Sequence, residues 1–410
     1  MFIRVVTAIT IYQLYLAVVC ACFRKNVCKN LNDYRTIKDN RNCWYNPDVG
    51  STPRKIIERY GYPFENHQLV TPDGYILNMY RVPHNGSDPY RKRPPIFLQH
   101  GFASDSSTWL MLGQQSSVFF FANNGYDVWV SNLRGTEYSP KHVKYTVYDP
   151  PYWNFSFHEM GIYDVPTMLD YIAKMTNQKI YYIGHSMGTT VSFIYASLFP
   201  EKAKRNLKSI VSLAPIAYMG NVTSVVKAFV PLRNDIWDFF VSIGLYGIGT
   251  NIQDKLDAVH KICTQYPFIL ICADLAGLYV GDNDYETEPS ELPVIQSFFP
   301  SGFSVKTLLH FAQEMAVQER FQFFDYGPQY NLHFYNSETV PEYPISRINI
   351  PVHLFYGKND RLATEKDVFY LYNKLKTKKT ILEVFNFSHV NFAAARHSLE
   401  LFKIILKFLR

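Results

Sequence analysis

The pentapeptide Gly184-His185-Ser186-Met187-Gly188 stands directly between an apolar, strand-like run, Tyr181-Tyr182-Ile183, and a helix-like stretch that begins near Thr189. Alone, Gly-x-Ser-x-Gly is weak evidence, because at ordinary residue frequencies a chain of this length contains it roughly one time in ten. The setting gives it weight. A strand that passes through a sharp turn into a helix needs small residues on both sides of the turn, and two glycines supply them. The serine hydroxyl is then presented at the end of a sheet, and the helix N-terminus behind it favours negative charge.

Strand-like and helix-like stretches alternate from about Asn66 onward, which signals an α/β fold. Gln68–Val70 and Tyr75–Arg81 flank the turn sequence Thr71-Pro72-Asp73-Gly74 and read as a hairpin. Strands are expected at Pro95–Gln99, Asp127–Ser131, Lys179–Ile183 and Leu207–Leu213, and helices at Leu110–Asn124, Met160–Met175 and Thr189–Leu198. After Pro215 the alternation stops. Residues 216–350 are aromatic, interrupted by proline and mostly helical in pattern. Within them Val225–Ile248 is apolar but carries Lys227, Arg233, Asp235 and Asp238, too many charges for a membrane span. Alternation resumes with strands at Val352–Tyr356 and Thr380–Phe385 and helices at Glu365–Leu375 and Phe392–Phe408. Eight mostly parallel strands with a largely helical cap inserted after the sixth are the α/β-hydrolase plan. Residues 51–215 and 351–410 form its core, 216–350 the cap and 22–50 an N-terminal arm. There is no internal repeat.

A hydrophobic content of 47%, with 16% aromatics, is ample for a packed core and argues against disorder. The net charge of +6 is mild, and its basic clusters, Arg91–Arg93 and Lys374–Lys379, are short, so no nucleic-acid partner is expected. The start of the chain, positive at Met1–Arg4 and apolar over Val5–Val19, reads as a signal peptide spanning residues 1–21, cleaved after Ala21 or Cys22. An uncleaved anchor is the alternative. Secretion changes how the cysteines are read. Cys20 lies in the signal and Cys22 at its edge, leaving Cys28, Cys43, Cys263 and Cys272, an even set that permits two disulfides. The spacing of Cys263 and Cys272 suggests a local loop closure, and Cys28 with Cys43 would staple the arm; the pairing among Cys22, Cys28 and Cys43 stays open. Sequons at Asn85, Asn154 and Asn221 fit carbohydrate attachment, whereas Asn386 precedes a position expected inside a buried site. Neither Cys-x-x-Cys nor clustered histidines occur, so no metal is expected.

A serine nucleophile needs a base, and the base needs an orienting carboxylate; on this plan both follow later strands, in the order Ser, acid, His. Of twelve histidines only His389 falls on a loop after the last strand, where Ser186 should emerge. His397 falls within the expected final helix and His353 within a strand. Asp360 follows the Val352–Tyr356 strand through Gly357-Lys358-Asn359 and is favoured as the acid over Asp367, which falls in the next helix and reads as a surface residue. The turn Gln99-His100-Gly101-Phe102 ends another strand, so the backbone N–H groups of Phe102 and Met187 are the expected oxyanion donors. His100 is expected to hold that turn, and His185 to point away from Ser186 as a packing residue.

Several stretches resemble the acid lipase family, which includes the gastric and lysosomal lipases. They are Thr71-Pro72-Asp73-Gly74-Tyr75-Ile76-Leu77, Leu98-Gln99-His100-Gly101, Asn132-Leu133-Arg134-Gly135, Phe155-Ser156-Phe157-His158-Glu159-Met160-Gly161, Gly184-His185-Ser186-Met187-Gly188-Thr189-Thr190 and Leu309-His310-Phe311-Ala312-Gln313. The resemblance runs from about Ser51 to Arg410 and implies hydrolysis of triacylglycerols and steryl esters without a cofactor, at an emulsion or membrane surface. It implies Ser186, Asp360 and His389 as the triad and a pairing of Cys263 with Cys272. Met187 stands where vertebrate members often carry Gln, Phe303 replaces a small polar residue after Pro300-Ser301-Gly302, and the Cys28/Cys43 arm has no recognised counterpart. The competing expectations are an esterase of small soluble esters and a secreted lipid-binding protein without activity. The long aromatic cap speaks against the first, and the complete triad against the second.

Overall fold

The computed structural model describes residues 25–86, 88, 91–281 and 286–409, so the expected signal peptide lies outside the described residues. In the N-terminal arm, strands β1 (Val27–Cys28) and β2 (Cys43–Trp44) pair antiparallel, and a disulfide joins Cys28 to Cys43. The arm packs Cys28, Tyr34 and Cys43 against Ile269 of the cap.

The main sheet follows. Its strands are β3 (Glu65–Val70), β4 (Tyr75–Val82), β5 (Pro95–Gln99), β6 (Asp127–Val130), the two-residue β7 (Lys141–His142), β8 (Ile180–His185) and β9 (Leu207–Leu213). A second pairing, β10 (Gly247–Ile248) with β11 (Phe303–Ser304), belongs to the cap. The chain then returns to the main sheet with β12 (Val352–Tyr356) and β13 (Lys379–Glu383). The order is β13-β12-β9-β8-β5-β6-β4-β3, parallel from β13 to β6 and antiparallel beyond. Eight strands thus make the expected path, the cap leaves after the sixth of them, and β7 adds a ninth where it pairs with Tyr75 and Ile76. Every residue of β5, β6, β8 and β12 is buried, as in strands covered on both faces.

The helices used below are α1 (Val165–Thr176), α2 (Met187–Leu198), α3 (Arg233–Ser242), α4 (Gln253–Cys263), α5 (Phe268–Val280), α6 (Val305–Ala316), α7 (Glu365–Lys374) and α8 (Ser398–Leu406). Two expected helices are shorter than their sequence pattern. Over Leu110–Asn124 only Ser117–Asn123 is α-helical, because Gly113 adopts a left-handed φ of 53° and breaks the run. Over Phe392–Phe408 the helix begins at Ser398. The preceding residues are turned toward the cap by Arg396 N–H donating to the Glu286 carbonyl at 2.6 Å and by His397 Nδ1 lying 2.9 Å from Glu286 Oε2. His397 therefore caps the final helix rather than lying inside it. His353 is buried in β12, as expected.

Motifs far apart in sequence meet in pairs. The Arg134 guanidinium is buried and donates to Asp164 Oδ1 at 2.8 Å and Asp73 Oδ1 at 2.9 Å, with the Tyr75 ring 3.9 Å beneath it. This ties Asn132–Gly135 to the hairpin turn and to the start of α1. His310 of α6 lies 3.0 Å through Nδ1 from Ser156 Oγ and stacks on Phe157 at 3.8 Å, which fastens the cap to residues 155–161 of the core.

The cap is fastened again at its N-terminal end. Asp367 is not on the surface of α7, as its position inside that helix suggested, but buried. Its carboxylate accepts Asn221 N–H at 2.9 Å, Asn221 Nδ2 at 2.6 Å and Thr364 Oγ1 at 3.2 Å. Helix periodicity gives spacing but not which face a neighbour covers, and here the chain leaving β9 covers it. Asp367→Asn sets an amide donor against these donors. It should lower unfolding free energy by about 1–3 kcal/mol in a denaturant titration and leave turnover per folded molecule unchanged.

The cap exposes many large apolar side chains. Phe229, Leu232, Phe239 and Ile243 are exposed around α3, as are Val259 and Ile262 on α4 and Phe268, Ile271, Leu275, Leu278 and Tyr279 on α5. A disulfide joins Cys263 at the end of α4 to Cys272 in α5. Among the described residues no single helix is long and apolar enough to cross a membrane.

Candidate active site

β8 is central in the sheet and ends at His185, and α2 begins at Met187, so Ser186 alone makes the turn. Its φ of 54° and ψ of −122° are strained for a residue with a Cβ, a cost of about 1–3 kcal/mol. The flanking glycines make it feasible. A Cβ on Gly184 would lie 2.7 Å from the Gly188 carbonyl, and one on Gly188 only 2.3 Å from the Gln99 oxygen. Ser186 N–H donates to the Leu213 carbonyl at 3.0 Å, which anchors the turn to β9.

The loops after β12 and β13 run side by side, because Asn359 N–H donates to the Phe387 carbonyl at 3.1 Å and Asn359 Nδ2 to the Asn386 carbonyl at 2.8 Å. They carry Asp360 and His389 to Ser186. His389 Nε2 lies 2.6 Å from Ser186 Oγ, and His389 Nδ1 lies 2.9 Å from Asp360 Oδ2 and 3.1 Å from Oδ1. All three side chains are buried. A carboxylate accepts, so Nδ1 carries the proton and Nε2 is bare toward the serine hydroxyl, the tautomer a base requires. Asp360 Oδ1 also accepts the N–H groups of Leu362 and Ala363, each at 2.8 Å, which fixes its plane. Asp367 is engaged with Asn221 instead.

The turn after β5 packs directly on the serine, since a Cβ at Gly101 would stand 3.1 Å from Ser186 Cβ. His100 holds this turn, as expected. Leu133 N–H donates to its Nε2 at 3.1 Å, so Nδ1 carries the proton and donates to the Gly101 carbonyl at 2.9 Å. Burial pushes the His100 imidazole down to about 4, consistent with that neutral form. No backbone acceptor among the described residues takes the N–H of Phe102 or Met187, so both remain available beside the serine. The Phe102 ring packs on Phe303 at 4.7 Å and on Phe311 at 5.6 Å, giving the turn an aromatic wall contributed by the cap.

Three supports were not legible in the sequence. The His389 N–H donates to the Val280 carbonyl at the end of α5 at 3.0 Å. Ser388, through its N–H and Oγ, donates twice to Asn391 Oδ1 at 2.7 Å. His185 packs as expected but also reaches the His389 loop, with its Nε2 2.7 Å from the His389 carbonyl oxygen. Each contact involves a backbone group or a loop turn, and no residue-type pattern marks it. No group of three or more metal-ligating side chains occurs among the described residues.

Known proteins resemble this chain over most of its length. A family model described as a partial alpha/beta-hydrolase lipase region matches residues 53–113, and one described as the alpha/beta hydrolase fold matches residues 94–242. Gastric triacylglycerol lipase of Rattus norvegicus is 35% identical over 352 residues, covering 85% of this chain and 88% of its own. The chain belongs to the acid lipase family. Human lipase member K, another relative of this acid lipase, is 34% identical over 352 residues, covering 85% and 87% of the two chains. A soluble variant of monoglyceride lipase from Saccharomyces cerevisiae shares the fold at a TM-score of 0.52 and 15% identity, over 85% of this chain and 94% of that one. The acid lipase is thus a serine ester hydrolase on an α/β-hydrolase fold.

Proposed function

We propose that this acid lipase hydrolyses triacylglycerols and steryl esters through an acyl-enzyme on Ser186. The observation that carries the reading is the unbroken chain from Ser186 Oγ to His389 Nε2 and from His389 Nδ1 to Asp360. In the first step Ser186 Oγ attacks the ester carbonyl while its proton passes to His389 Nε2, and Asp360 stabilises the imidazolium. The carbonyl oxygen, now negative, is met by the N–H groups of Phe102 and Met187. The alcohol leaves with the proton from Nε2. A water activated by the same nitrogen then releases the fatty acid and restores the serine.

An apolar substrate fits two features, the aromatic wall of Phe102, Phe303 and Phe311 and the apolar residues exposed on α3, α4 and α5. An exposed apolar surface of that kind suits contact with an emulsion or membrane surface. We further propose passage through the secretory route, to the extracellular space or a lysosome, with residues 1–21 as signal. Two disulfides accord with that route. Carbohydrate is proposed at Asn85 and Asn154, both exposed. Asn221 is half-buried, and its Nδ2 is turned to Asp367. The domain division proposed is the arm 22–50, the cap 216–350 and the core 51–215 with 351–410.

The substrate reading is tested with acetate, octanoate and oleate esters of one alcohol, alongside emulsified triacylglycerol and steryl ester. Each buried methylene contributes about 0.8 kcal/mol, so kcat/KM should climb steeply with acyl length. A flat or falling series would replace the lipase reading with that of a small-ester hydrolase.

A further inference from the structure

His185 directly precedes Ser186 and is buried between the two halves of the site. On one side lies the turn after β5, where a Cβ at Gly101 would come 3.3 Å from His185 Nδ1. On the other lies the loop of His389, with the two imidazole centroids 5.2 Å apart. His185 Nε2 is 2.7 Å from the backbone oxygen of His389. A carbonyl only accepts, so this nitrogen carries the proton. The ring is neutral, since burial, reinforced by the neighbouring His389, holds its proton affinity down near a pKa of about 3.

The peptide groups of His389 therefore have two partners on opposite sides. Its N–H donates to Val280 of the cap, and its C=O accepts from His185 of the core. The side chain between them has to keep Nε2 at 2.6 Å from Ser186 Oγ. Because His185 and Ser186 are adjacent on the turn that Ser186 N–H anchors to the Leu213 carbonyl, the His185 bond references the base to the nucleophile directly rather than through the sheet. Removing it leaves the loop held on its core side at Asn386 and Phe387, by Asn359, and leaves the buried His389 carbonyl without its donor.

We propose that His185 is a positioning residue for catalysis, its Nε2–H fixing the His389 carbonyl and hence the reach of His389 to Ser186. The inference rests on the reading of His389 as the base of Ser186.

Three variants separate positioning from packing. Leucine at 185 fills the space without a donor. Glutamine places an amide donor at similar reach, and asparagine carries the same amide one methylene short. Steady-state hydrolysis of a soluble butyrate ester, the rate of Ser186 labelling by a fluorophosphonate and thermal unfolding are measured for each. A misplacement of about 1 Å at a reacting group can lower rate about 10²-fold. His185→Leu and His185→Asn should therefore lose about 10–10² in kcat with KM little changed, and labelling should slow in parallel. His185→Gln should recover most of that loss.

Folded leucine and asparagine variants with kcat within twofold of the natural protein would overturn the proposal. So would a folded glutamine variant no better than asparagine, which also decides the matter if leucine prevents folding. An inert natural protein, whose Ser186 does not label, would instead sink the ester-hydrolase reading and this inference with it.

Discussion

Ser186→Ala should abolish ester hydrolysis, by about 10⁴-fold or more, while leaving the unfolding transition nearly where it was. The side chain removed is one oxygen atom, and its hydrogen-bond partner is His389 Nε2. The turn itself is held by Ser186 N–H on the Leu213 carbonyl and by the contacts of Gly184 and Gly188, none of which needs the hydroxyl. Alanine must still adopt a φ near 54°, the same strain the serine bears, so the backbone has no reason to relax. Kinetics on a soluble ester together with fluorophosphonate labelling check it. Residual activity above a tenth of the natural protein would mean that another nucleophile serves.

Asp360→Asn should cost turnover about as much, roughly 10⁴-fold, by a different route. The asparagine oxygen can still accept from Leu362 and Ala363, whose N–H groups bind Oδ1. Its amide nitrogen then faces His389 Nδ1, where a carboxylate oxygen stood at 2.9 Å. Two donors cannot share that position, so the imidazole is driven to the tautomer with its proton on Nε2, and it can no longer take the serine proton. KM should change little, since the substrate does not meet Asp360. The contrast with Asp367→Asn is diagnostic, because that variant should lose stability and keep its rate. If the two effects came out reversed, the acid would have to be reassigned.

The parts of the site legible in the sequence share one property, a fixed relation to a strand end. Ser186 follows β8, Asp360 follows β12 and His389 follows β13, and a short strand rich in aliphatic and aromatic residues, bounded by turn residues, can be read locally. What stayed hidden depended on partners distant along the chain. Asp367 looks like any polar residue on an amphipathic helix until Asn221 arrives from the far side of β9. The run before α8 has helical spacing, yet Glu286 captures the backbone of Arg396 and the ring of His397 before a helix can start. Gly113 was visible, but an isolated glycine within a helical pattern is often tolerated, and only its left-handed φ marks a break. The resemblance motifs likewise stood apart as strings. Their physical sense emerged only when Arg134 met Asp73, and Ser156 met His310.

The bond from His389 N–H to the Val280 carbonyl limits how substrate can be admitted. α5 exposes Phe268, Ile271, Leu275 and Leu278 and ends on the residue that steadies the proposed base. Directly after it, Gly281 runs so close to the loop after β12 that a Cβ there would lie 2.0 Å from the Asn359 oxygen. A cap lifting away as one rigid flap would strip His389 of this partner, an unmade bond costing about 1–3 kcal/mol, just when the base is needed. Entry that bends the cap elsewhere and leaves the last turn of α5 seated avoids that cost. This helix is a splint as well as a cover, and its two ends answer to different demands.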